Sequence, residues 1–329
     1  MKKIALTGVK PTGTPHIGNY FGAIKPAIEL CNNPELDCYY FIADYHALNF
    51  IKSKEDLIQL TKEVACTWLA CGLDPKKIVL YKQSLVPEVT ELNWLLCNVT
   101  SKGLMNRAHA YKALVDKSVA NGDDPDALVN MGLYNYPILM ASDILLFNTK
   151  YVPVGQDQKQ HVEMARDIAK AFNKRYGNTL VVPTEIIQEN VNNVLGTDGR
   201  KMSKSYGNII PIFATEQELK KIVSRITTDS SLPNEPKSTN CLIFDYYRLV
   251  ATKEEIEMFA TRFASGISWA DAKAELFRAL NSYLAPMREK YNYYMSHYAE
   301  VEKILEEGSK KARAIARETI ARCRNAIGL

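Results

Sequence analysis

Several features that mark whole classes of protein are missing from this chain of 329 residues. No run of eighteen apolar residues occurs, which excludes an ordinary transmembrane helix. The apolar run near the N-terminus, residues 4–6, is too short for a signal peptide. The seven cysteines are scattered, with no Cys-x-x-Cys pair and no zinc-like spacing of His and Cys. We therefore expect a cytoplasmic protein with reduced thiols, no membrane association and no metal site of its own.

Two common nucleotide-binding motifs are absent as well. Neither Gly-x-Gly-x-x-Gly nor Gly-x-x-x-x-Gly-Lys-Ser/Thr occurs, which disfavours a dinucleotide enzyme and a P-loop nucleotidase. The net charge of +4 is too small to indicate nucleic-acid binding by itself. The length favours two domains, because a single hydrophobic core stops growing at about 250–300 residues.

The N-terminal part of the chain alternates between apolar strands and amphipathic helices. Apolar runs predict strands at residues 3–9, 38–43, 78–81, 151–154 and 180–182. Helices are predicted between them, at about 18–31 and 53–71, and Ser53 has the position of an N-cap. This alternation predicts an α/β fold with a doubly wound, Rossmann-like parallel sheet.

The rest of the chain is mostly helical. Residues 87–148 predict a helical insertion within the α/β domain, and the chain after the polar segment 189–208 is almost entirely helical. The change in composition near residue 210 predicts a catalytic domain over 1–210 and an α-helical domain over 211–329. The last helix, from about 301 to 327, is predicted to be basic and could pack back on the catalytic domain.

The first strand runs into a loop whose residues suit a phosphate group. The loop reads Thr7-Gly8-Val9-Lys10-Pro11-Thr12-Gly13-Thr14-Pro15-His16-Ile17-Gly18-Asn19-Tyr20. Nucleotides bind at this position in such sheets, and the next helix presents free N–H groups to a phosphate. His16 and Asn19, three residues apart, can project from one side of the helix start and donate to phosphate oxygens. A turn-rich surface loop with an exposed histidine is the alternative.

A second motif near residue 200 is flexible and cationic. It reads Asp198-Gly199-Arg200-Lys201-Met202-Ser203-Lys204-Ser205-Tyr206-Gly207-Asn208. The two lysines, with the hydroxyl of Ser203 between them, suit a polyphosphate and would stabilise the charge on a departing pyrophosphate. An ordinary basic surface loop, or a phosphorylation or localisation patch, would have the same composition.

Together the two motifs resemble the two signatures of class I aminoacyl-tRNA synthetases. The resemblance implies a HUP-type Rossmann-like domain in which both signatures flank the phosphates of ATP and act in adenylate formation. It implies catalytic roles for His16, Asn19, Lys201, Ser203 and Lys204. The first signature ends in Asn19, as it does in the tryptophan and tyrosine branch of that family.

A helix between the two signatures carries an acid on an apolar face. Tyr136, Met140 and Asp143 are spaced i, i+4, i+7 and share that face. A buried carboxylate requires a hydrogen-bond donor, and an indole offers one N–H on a flat apolar body. A core helix whose aspartate caps a backbone or pairs with a lysine is the alternative.

The stretch 136–161 is similar to the tryptophanyl-tRNA synthetases. That resemblance implies that Asp143 accepts the indole N–H, that Met140 and Val154 line the ring, and that Tyr136, Gln158 and His46 hold the amino-acid end. Leu6 lies where that family often has an aromatic residue of the pocket. The implied ATP contacts are Lys10, Pro11, Thr12, Gly18, Asn19, Gly155, Gln156, Asp157, Val194 and Met202. Lys117, with Lys112 as its rival, takes the place of the family's mobile ATP-contacting lysine.

The resemblance also implies a reaction and its partners. The carboxylate of L-tryptophan would attack the α-phosphate of ATP, whose phosphates carry Mg²⁺, and the adenylate would then aminoacylate tRNA(Trp). A homodimer is implied, and an iron–sulfur cluster is not expected because only Cys241 and Cys323 lie in the C-terminal half. The basic residues of the last helix either contact tRNA phosphates or form a solvated face. The alternatives are a tyrosyl enzyme, a small-metabolite nucleotidyltransferase and a non-catalytic tRNA-binding paralogue.

Overall fold

A computed structural model describes residues 2–187 and 194–329, apart from the side chains of Asp157 and Ile187. Within these residues one parallel sheet has the strand order β3-β2-β1-β4-β5. The strands are β1 (Lys3–Val9), β2 (Leu36–Ile42), β3 (Val79–Lys82), β4 (Tyr151–Val154) and β5 (Thr184–Ile187). The strand order reverses at β1, which has β2 on one side and β4 on the other. The structure confirms the predicted doubly wound α/β sheet, and ligands bind at such a reversal point.

The sheet is covered on both faces, and β2 is apolar and buried without interruption from Cys38 to Ile42. Leu6 of β1 lies beside Tyr39 of β2, and the ring of Tyr39 contacts that of Phe147 on one face. On the opposite face the ring of Tyr40 packs against that of Trp68. Successive side chains of a strand point to opposite faces, so β2 contributes to both layers of the core.

Helices cover both faces of the sheet. They are α1 (Ile17–Asn19), α2 (Lys25–Leu30), α3 (Asp44–Ala47), α4 (Lys54–Ala70), α5 (Glu88–Cys97), α6 (Lys102–Met105), α7 (His109–Ala120), α8 (Met131–Leu146), α9 (Lys159–Tyr176), α10 (Glu216–Ser224), α11 (Leu242–Val250), α12 (Lys253–Ala264), α13 (Trp269–Ser296) and α14 (Tyr298–Ile327). A π-helical turn, Tyr20–Ile24, joins α1 to α2, and short 3₁₀ turns occupy Gln83–Leu85, Gln156–Gln158 and Lys204–Tyr206. Ser53 caps α4 as predicted, accepting the backbone N–H of Asp56. No helix in the described ranges has the length and apolarity needed to cross a membrane.

The predicted last strand was wrong by several residues. The apolar run 180–182 is not a strand, and β5 begins after Pro183. The side chain of Asn173 accepts the backbone N–H groups of Thr179 and Leu180 and donates to the carbonyl of Leu180. The Asn173 side chain already binds the backbone N–H and the carbonyl of Leu180, so these groups do not join the sheet ladder. The Leu180 side chain is buried in the core.

The residues at the predicted domain boundary form backbone hydrogen bonds with the N-terminal loop. The backbone N–H of Ile17 donates to the carbonyl of Ile210 over 2.9 Å, and that of Ile212 donates to the carbonyl of Pro15 over 3.2 Å. The backbone at residues 210–212 is therefore bonded to the first signature. The division at residue 210 stays a prediction. The polar segment predicted over 189–208 is described here only from Val194 onward.

The last helix packs against the parallel sheet. In α14, Gly308 lies so close to β3 that an added Cβ would overlap the carbonyl group of Leu80. Further along the same helix, Arg313 and Arg317 bind the carboxylate of Glu88 at the start of α5. The C-terminal helix is thus held against the sheet by close backbone packing and by ion pairs.

Candidate active site

A cavity of about 690 Å³ opens at the carboxyl ends of β1 and β4. Many residues predicted from the sequence line it: Leu6, Lys10, Thr12, His16, Asn19, His46, Tyr136, Met140, Asp143, Val154, Gly155, Gln158, Met202, Ser203 and Lys204. The fold brings the two signatures, almost two hundred residues apart in the sequence, to the same cavity. It also places the face of α8 that carries Asp143 at the other end.

Other predicted residues lie outside the cavity lining. Among the described side chains these are Pro11, Gly18, Lys117, Gln156, Val194 and Lys201. Lys117 is exposed on α7, as is its rival Lys112, and Lys201 is exposed beside Leu195. The side chain of Asp157 lies outside the described part of the chain. The ATP contacts predicted for these residues stay predictions.

His16 and Asn19 hold each other at the start of α1. The backbone N–H of Asn19 donates to Nδ1 of His16 over 3.3 Å, and the backbone N–H of His16 donates to Oδ1 of Asn19 over 3.1 Å. This reciprocal cap uses Nδ1 as an acceptor, so the proton of the neutral imidazole is on Nε2. The Nε2–H of His16 and the Nδ2 amide of Asn19 remain as donors.

The imidazole of His16 is neutral at physiological pH. Burial and, to a smaller extent, the positive charge of Lys204 together lower the pKa of His16 to about 4. His16 therefore acts as a neutral hydrogen-bond donor to a ligand, and the positive charge at this end of the cavity comes from lysine.

Lys204 connects the second signature to the first. Its ammonium group donates to the carbonyl oxygen of Thr12 over 3.0 Å, and burial lowers the pKa of Lys204. Gly13, next to Thr12, has φ +82°, and an added Cβ there would lie 3.2 Å from that ammonium group. Only glycine adopts this backbone without strain, which allows the lysine to approach the loop.

Asn208, which the sequence analysis did not single out, organises the second signature. Its side-chain oxygen accepts the backbone N–H of Ser203 over 2.8 Å, and its amide donates to Asp198 and to the carbonyl of Lys201. The hydrogen bonds from Asn208 and Arg200 lower the pKa of Asp198 to about 2. Asn208 closes the motif, and its full burial is a property that only the tertiary structure reveals.

Asp143 is buried at the end of the cavity that α8 forms, with donors on both of its oxygens. Nε2 of His46 lies 2.9 Å from Oδ2, and Nε2 of Gln83 lies 2.8 Å from Oδ1 and 3.0 Å from Oδ2. Burial raises the pKa of Asp143, and the hydrogen bonds from His46 and Gln83 act against that rise. The alternative of pairing with a lysine is wrong, because the partner is a histidine.

Aromatic side chains and a lysine lie between the two ends. The hydroxyl of Tyr136 lies 3.0 Å from Nε2 of His161, and its ring contacts that of His46 edge to face. The ammonium group of Lys10 lies 5.4 Å from the ring centre of Phe50 and 5.6 Å from that of Tyr136. Burial lowers the pKa of Lys10. This cation–π contact holds the positive charge of Lys10 between the two ends of the cavity.

The charges of the cavity are separated along its length. Lys204 supplies positive charge at the end that carries the signatures, and His16 adds a neutral donor there, whereas the charge of Lys10 lies between the two ends. The carboxylate of Asp143 lies at the other end. The described residues contain no group of three or more His, Cys, Asp or Glu side chains arranged to hold a metal ion. The arrangement suits an anionic polyphosphate at one end and a ligand with an N–H donor at the other.

The arginines of α14 are bound within the protein. Arg313 and Arg317 contact Glu88, and Arg324 contacts Glu91 over 2.6 Å. These contacts dock α14 on α5, whereas Lys310 and Lys311 are exposed. The basic character of this helix therefore has a structural use for three of its arginines.

Comparison with known proteins identifies the family to which this chain is similar. Residues 2–285 match the family of class I tRNA synthetases (W and Y). The chain is 49% identical over 330 residues to a tryptophan–tRNA ligase of Neisseria meningitidis, which covers 100% of this chain and 98% of the relative. It is 51% identical over 330 residues to a tryptophan–tRNA ligase of Pseudomonas putida, covering 98% of this chain and 73% of the relative.

Solved structures agree as well. The crystal structure of a tryptophanyl-tRNA synthetase from Campylobacter jejuni, complexed with ADP and tryptophan, matches with a TM-score of 0.90 and 42% identity. That match covers 99% of this chain and 100% of the other. With a family match over most of the chain and relatives near 50% identity over its full length, this chain belongs to the class I tRNA synthetases of the W and Y family.

Proposed function

We propose that this chain activates L-tryptophan with ATP, forming tryptophanyl-adenylate and pyrophosphate, and then transfers the tryptophanyl group to tRNA(Trp). The observation that carries the proposal is the single cavity that has Asp143 at one end and His16 with Lys204 at the other. The carboxylate of Asp143 accepts the indole N–H of tryptophan, and the end with Lys204 binds the phosphates of ATP. The identity of about 50% to tryptophan–tRNA ligases over the whole chain supports the same amino acid.

The chemical step needs little acid–base catalysis. One carboxylate oxygen of tryptophan attacks the α-phosphorus of ATP, a new O–P bond forms, and the bond to the leaving pyrophosphate breaks. The attacking carboxylate is already ionised near pH 7, so no general base is required. Catalysis then rests on positioning and on stabilising negative charge at the phosphates.

The residues near the phosphates have distinct roles in this proposal. Lys204 neutralises charge on the departing pyrophosphate, worth about 2–4 kcal/mol of transition-state stabilisation, after it leaves the carbonyl of Thr12. The Nε2–H of His16 and the Nδ2 amide of Asn19 donate to phosphate oxygens, with Ser203 beside them. Lys201 and Lys117 are assigned to the phosphates as well, and both would have to move toward the cavity when ATP binds.

The remaining assignments follow from the two ends of the cavity. Tyr136, Gln158 and His46 hold the amino-acid end, while Leu6, Met140 and Val154 line the indole ring. Lys10, Pro11, Thr12, Gly18, Gly155, Gln156, Asp157, Val194 and Met202 are proposed to bind ATP. Since the lining residues at the phosphate end are lysines, amides and hydroxyls, we propose that Mg²⁺ arrives on the phosphates as part of the nucleotide substrate. A homodimer, a cytoplasmic location and tRNA binding by the segment after residue 210 are parts of the same proposal.

ATP–pyrophosphate exchange with each of the twenty amino acids tests the proposal. Exchange with tryptophan and with no other amino acid is the expected result. Exchange with tyrosine in its place would refute the assignment of the amino acid. A failure to exchange with any amino acid, in a preparation that binds ATP and tRNA, would support a non-catalytic paralogue.

The amino-acid end can be tested separately. Asp143→Ala removes the acceptor for the indole N–H and should weaken tryptophan binding about ten- to hundredfold, measured by isothermal titration calorimetry. Asp116→Ala on the exposed face of α7 is the matched control and should bind tryptophan normally. If Asp143→Ala bound tryptophan with unchanged affinity, the assignment of the indole to Asp143 would be wrong.

A further inference from the structure

Gln83 is a fully buried amide behind the amino-acid end of the cavity, one residue after β3. A buried amide requires partners for both its oxygen and its NH₂ group. Its Oε1 accepts the backbone N–H of Tyr45 over 3.1 Å. Its Nε2 lies 2.8 and 3.0 Å from the two carboxylate oxygens of Asp143. Each end of this side chain thus has a defined role.

The orientation of the Gln83 amide is set by the backbone of α3. A backbone N–H can only donate, so the oxygen of Gln83 faces Tyr45 and its NH₂ group faces Asp143. The same short helix is anchored a second time, since the backbone N–H of Ser84 donates to Oδ1 of Asp44 over 2.9 Å. Asp143 therefore always meets a donor from this side, whichever ligand occupies the cavity.

The charge of Asp143 depends on burial and on three neighbouring side chains. His46 on α3 and Gln83 after β3 donate to it, whereas the carboxylate of Asp44 on α3 favours its neutral form. Burial is the largest influence and raises the pKa of Asp143. Removal of one donor would move the carboxyl group toward protonation. A protonated carboxyl group is a poorer acceptor for an indole N–H than a carboxylate.

We propose that Gln83 is a positioning residue for tryptophan recognition, which keeps Asp143 an ionised and correctly aimed acceptor for the indole N–H. This inference rests on the proposed function, because it concerns the amino acid that Asp143 binds. Gln83 itself does not line the cavity, and it acts on the ligand through Asp143.

The first test replaces the amide by an apolar chain of similar length. Gln83→Met should raise the KM for tryptophan in ATP–pyrophosphate exchange about ten- to hundredfold and change kcat by less than about threefold. The probe β-(benzothien-3-yl)alanine has no ring N–H, so its inhibition constant should change much less than the KM for tryptophan. Gln59→Met, on the exposed face of α4, is the matched control and should behave as the unmodified protein does.

The pH profile separates an electrostatic role from a merely structural one. In Gln83→Met the pKa of Asp143 rises further, so the KM for tryptophan should increase toward lower pH more strongly than it does in the unmodified protein. Gln83→Glu should show the opposite trend. Two adjacent carboxylates repel each other when both are ionised, and at lower pH one shared proton restores a donor to Asp143.

The outcomes are distinguishable from a failure of the proposed function. If the unmodified protein does not activate tryptophan, the proposed function itself is wrong. If it does, and both variants keep its KM and pH profile, only the role of Gln83 is refuted. Losses that are independent of pH, and equal for tryptophan and the benzothienyl probe, would also refute it. Thermal unfolding measurements show whether each variant folds, and the pH profile of Gln83→Glu carries the test if Gln83→Met does not fold.

Discussion

The ammonium group of Lys204 donates a hydrogen bond to the carbonyl oxygen of Thr12 over 3.0 Å, across 192 residues of sequence. This contact places the cation of the second signature directly over the loop of the first. It also brings positive charge close to His16, where it contributes to the lowered pKa of that imidazole. A phosphate that enters the site would replace a neutral carbonyl as the partner of Lys204 and would bind it more strongly.

The charge of Lys204 should matter for chemistry more than for amino-acid binding. Lys204→Met is expected to reduce ATP–pyrophosphate exchange by about 2–4 kcal/mol, or about 30- to 1000-fold, with tryptophan affinity changed less than about threefold. Lys220→Met, exposed on α10, serves as the control. Lys201, which does not line the cavity, should contribute less than Lys204. An equal loss in Lys201→Met would mean that this loop moves substantially when ATP binds.

His16 should make the stability of the protein depend on pH. Its pKa is lowered in the folded state to about 4 from an ordinary value of 6.5, so the unfolded chain binds more protons between these values. Its contribution to stability is therefore fully present above about pH 6.5 and is lost as the pH falls toward about 4. Urea unfolding of His16→Gln should show a weaker fall in stability over this window. Parallel curves for variant and unmodified protein would contradict the assignment.

Glu88 should anchor α14 through its two arginines. Burial alone would raise the pKa of Glu88, but hydrogen bonds from Arg313 and Arg317 outweigh it and lower the pKa below 4.5. The resulting stability is present above about pH 4.5 and is lost at lower pH. Glu88→Gln should reduce the free energy of unfolding by about 1–2 kcal/mol, measured in urea near pH 7.

The matched control for Glu88 is an ion pair that is exposed on both sides. Asp245→Asn breaks the pair with Arg248 in α11, whose side chains are both close to half exposed, and should cost less than about 1 kcal/mol. Similar losses in the two variants would mean that burial of Glu88 adds nothing to its ion pairs.

Gly308 should tolerate no side chain, although it lies inside a helix. Alanine in place of a helical glycine ordinarily stabilises by about 0.5–1 kcal/mol. At Gly308 the new Cβ would overlap the backbone of Leu80, so Gly308→Ala should destabilise by about 2 kcal/mol or more in urea unfolding. Gly103→Ala in α6 is the control, because no atom lies within 4 Å of its Cβ position. If Gly308→Ala were as stable as Gly103→Ala, the contact between α14 and β3 would be looser than described.

Local patterns predicted much of this protein. The alternation of apolar strands and helices was sufficient for the doubly wound sheet, since each strand carries its own burial pattern. The residues of the two signatures could be found because each signature is a short continuous stretch whose residue types suit a phosphate group. The i, i+4, i+7 spacing of Tyr136, Met140 and Asp143 predicted their shared face, and all three line the cavity.

The contacts that complete the site could not be predicted in this way. Gln83 reaches Asp143 across 60 residues, and nothing in its neighbourhood of sequence distinguishes it from a surface glutamine. The strand predicted over 180–182 was displaced because Asn173, on the preceding helix, binds the backbone there. The arginines of α14 read as a basic face until the fold placed Glu88 and Glu91 opposite them.

The sequence by itself thus determined the fold class, the two signature motifs and the carboxylate on an apolar helix face. These depend on the type and spacing of residues within one element, which is local information. Only the tertiary structure decided which lysine contacts the first loop, which amide holds Asp143, and that His16 is a neutral donor. Those properties arise from burial and from partners far apart in the chain, because solvation and hydrogen bonding depend on everything that surrounds a group.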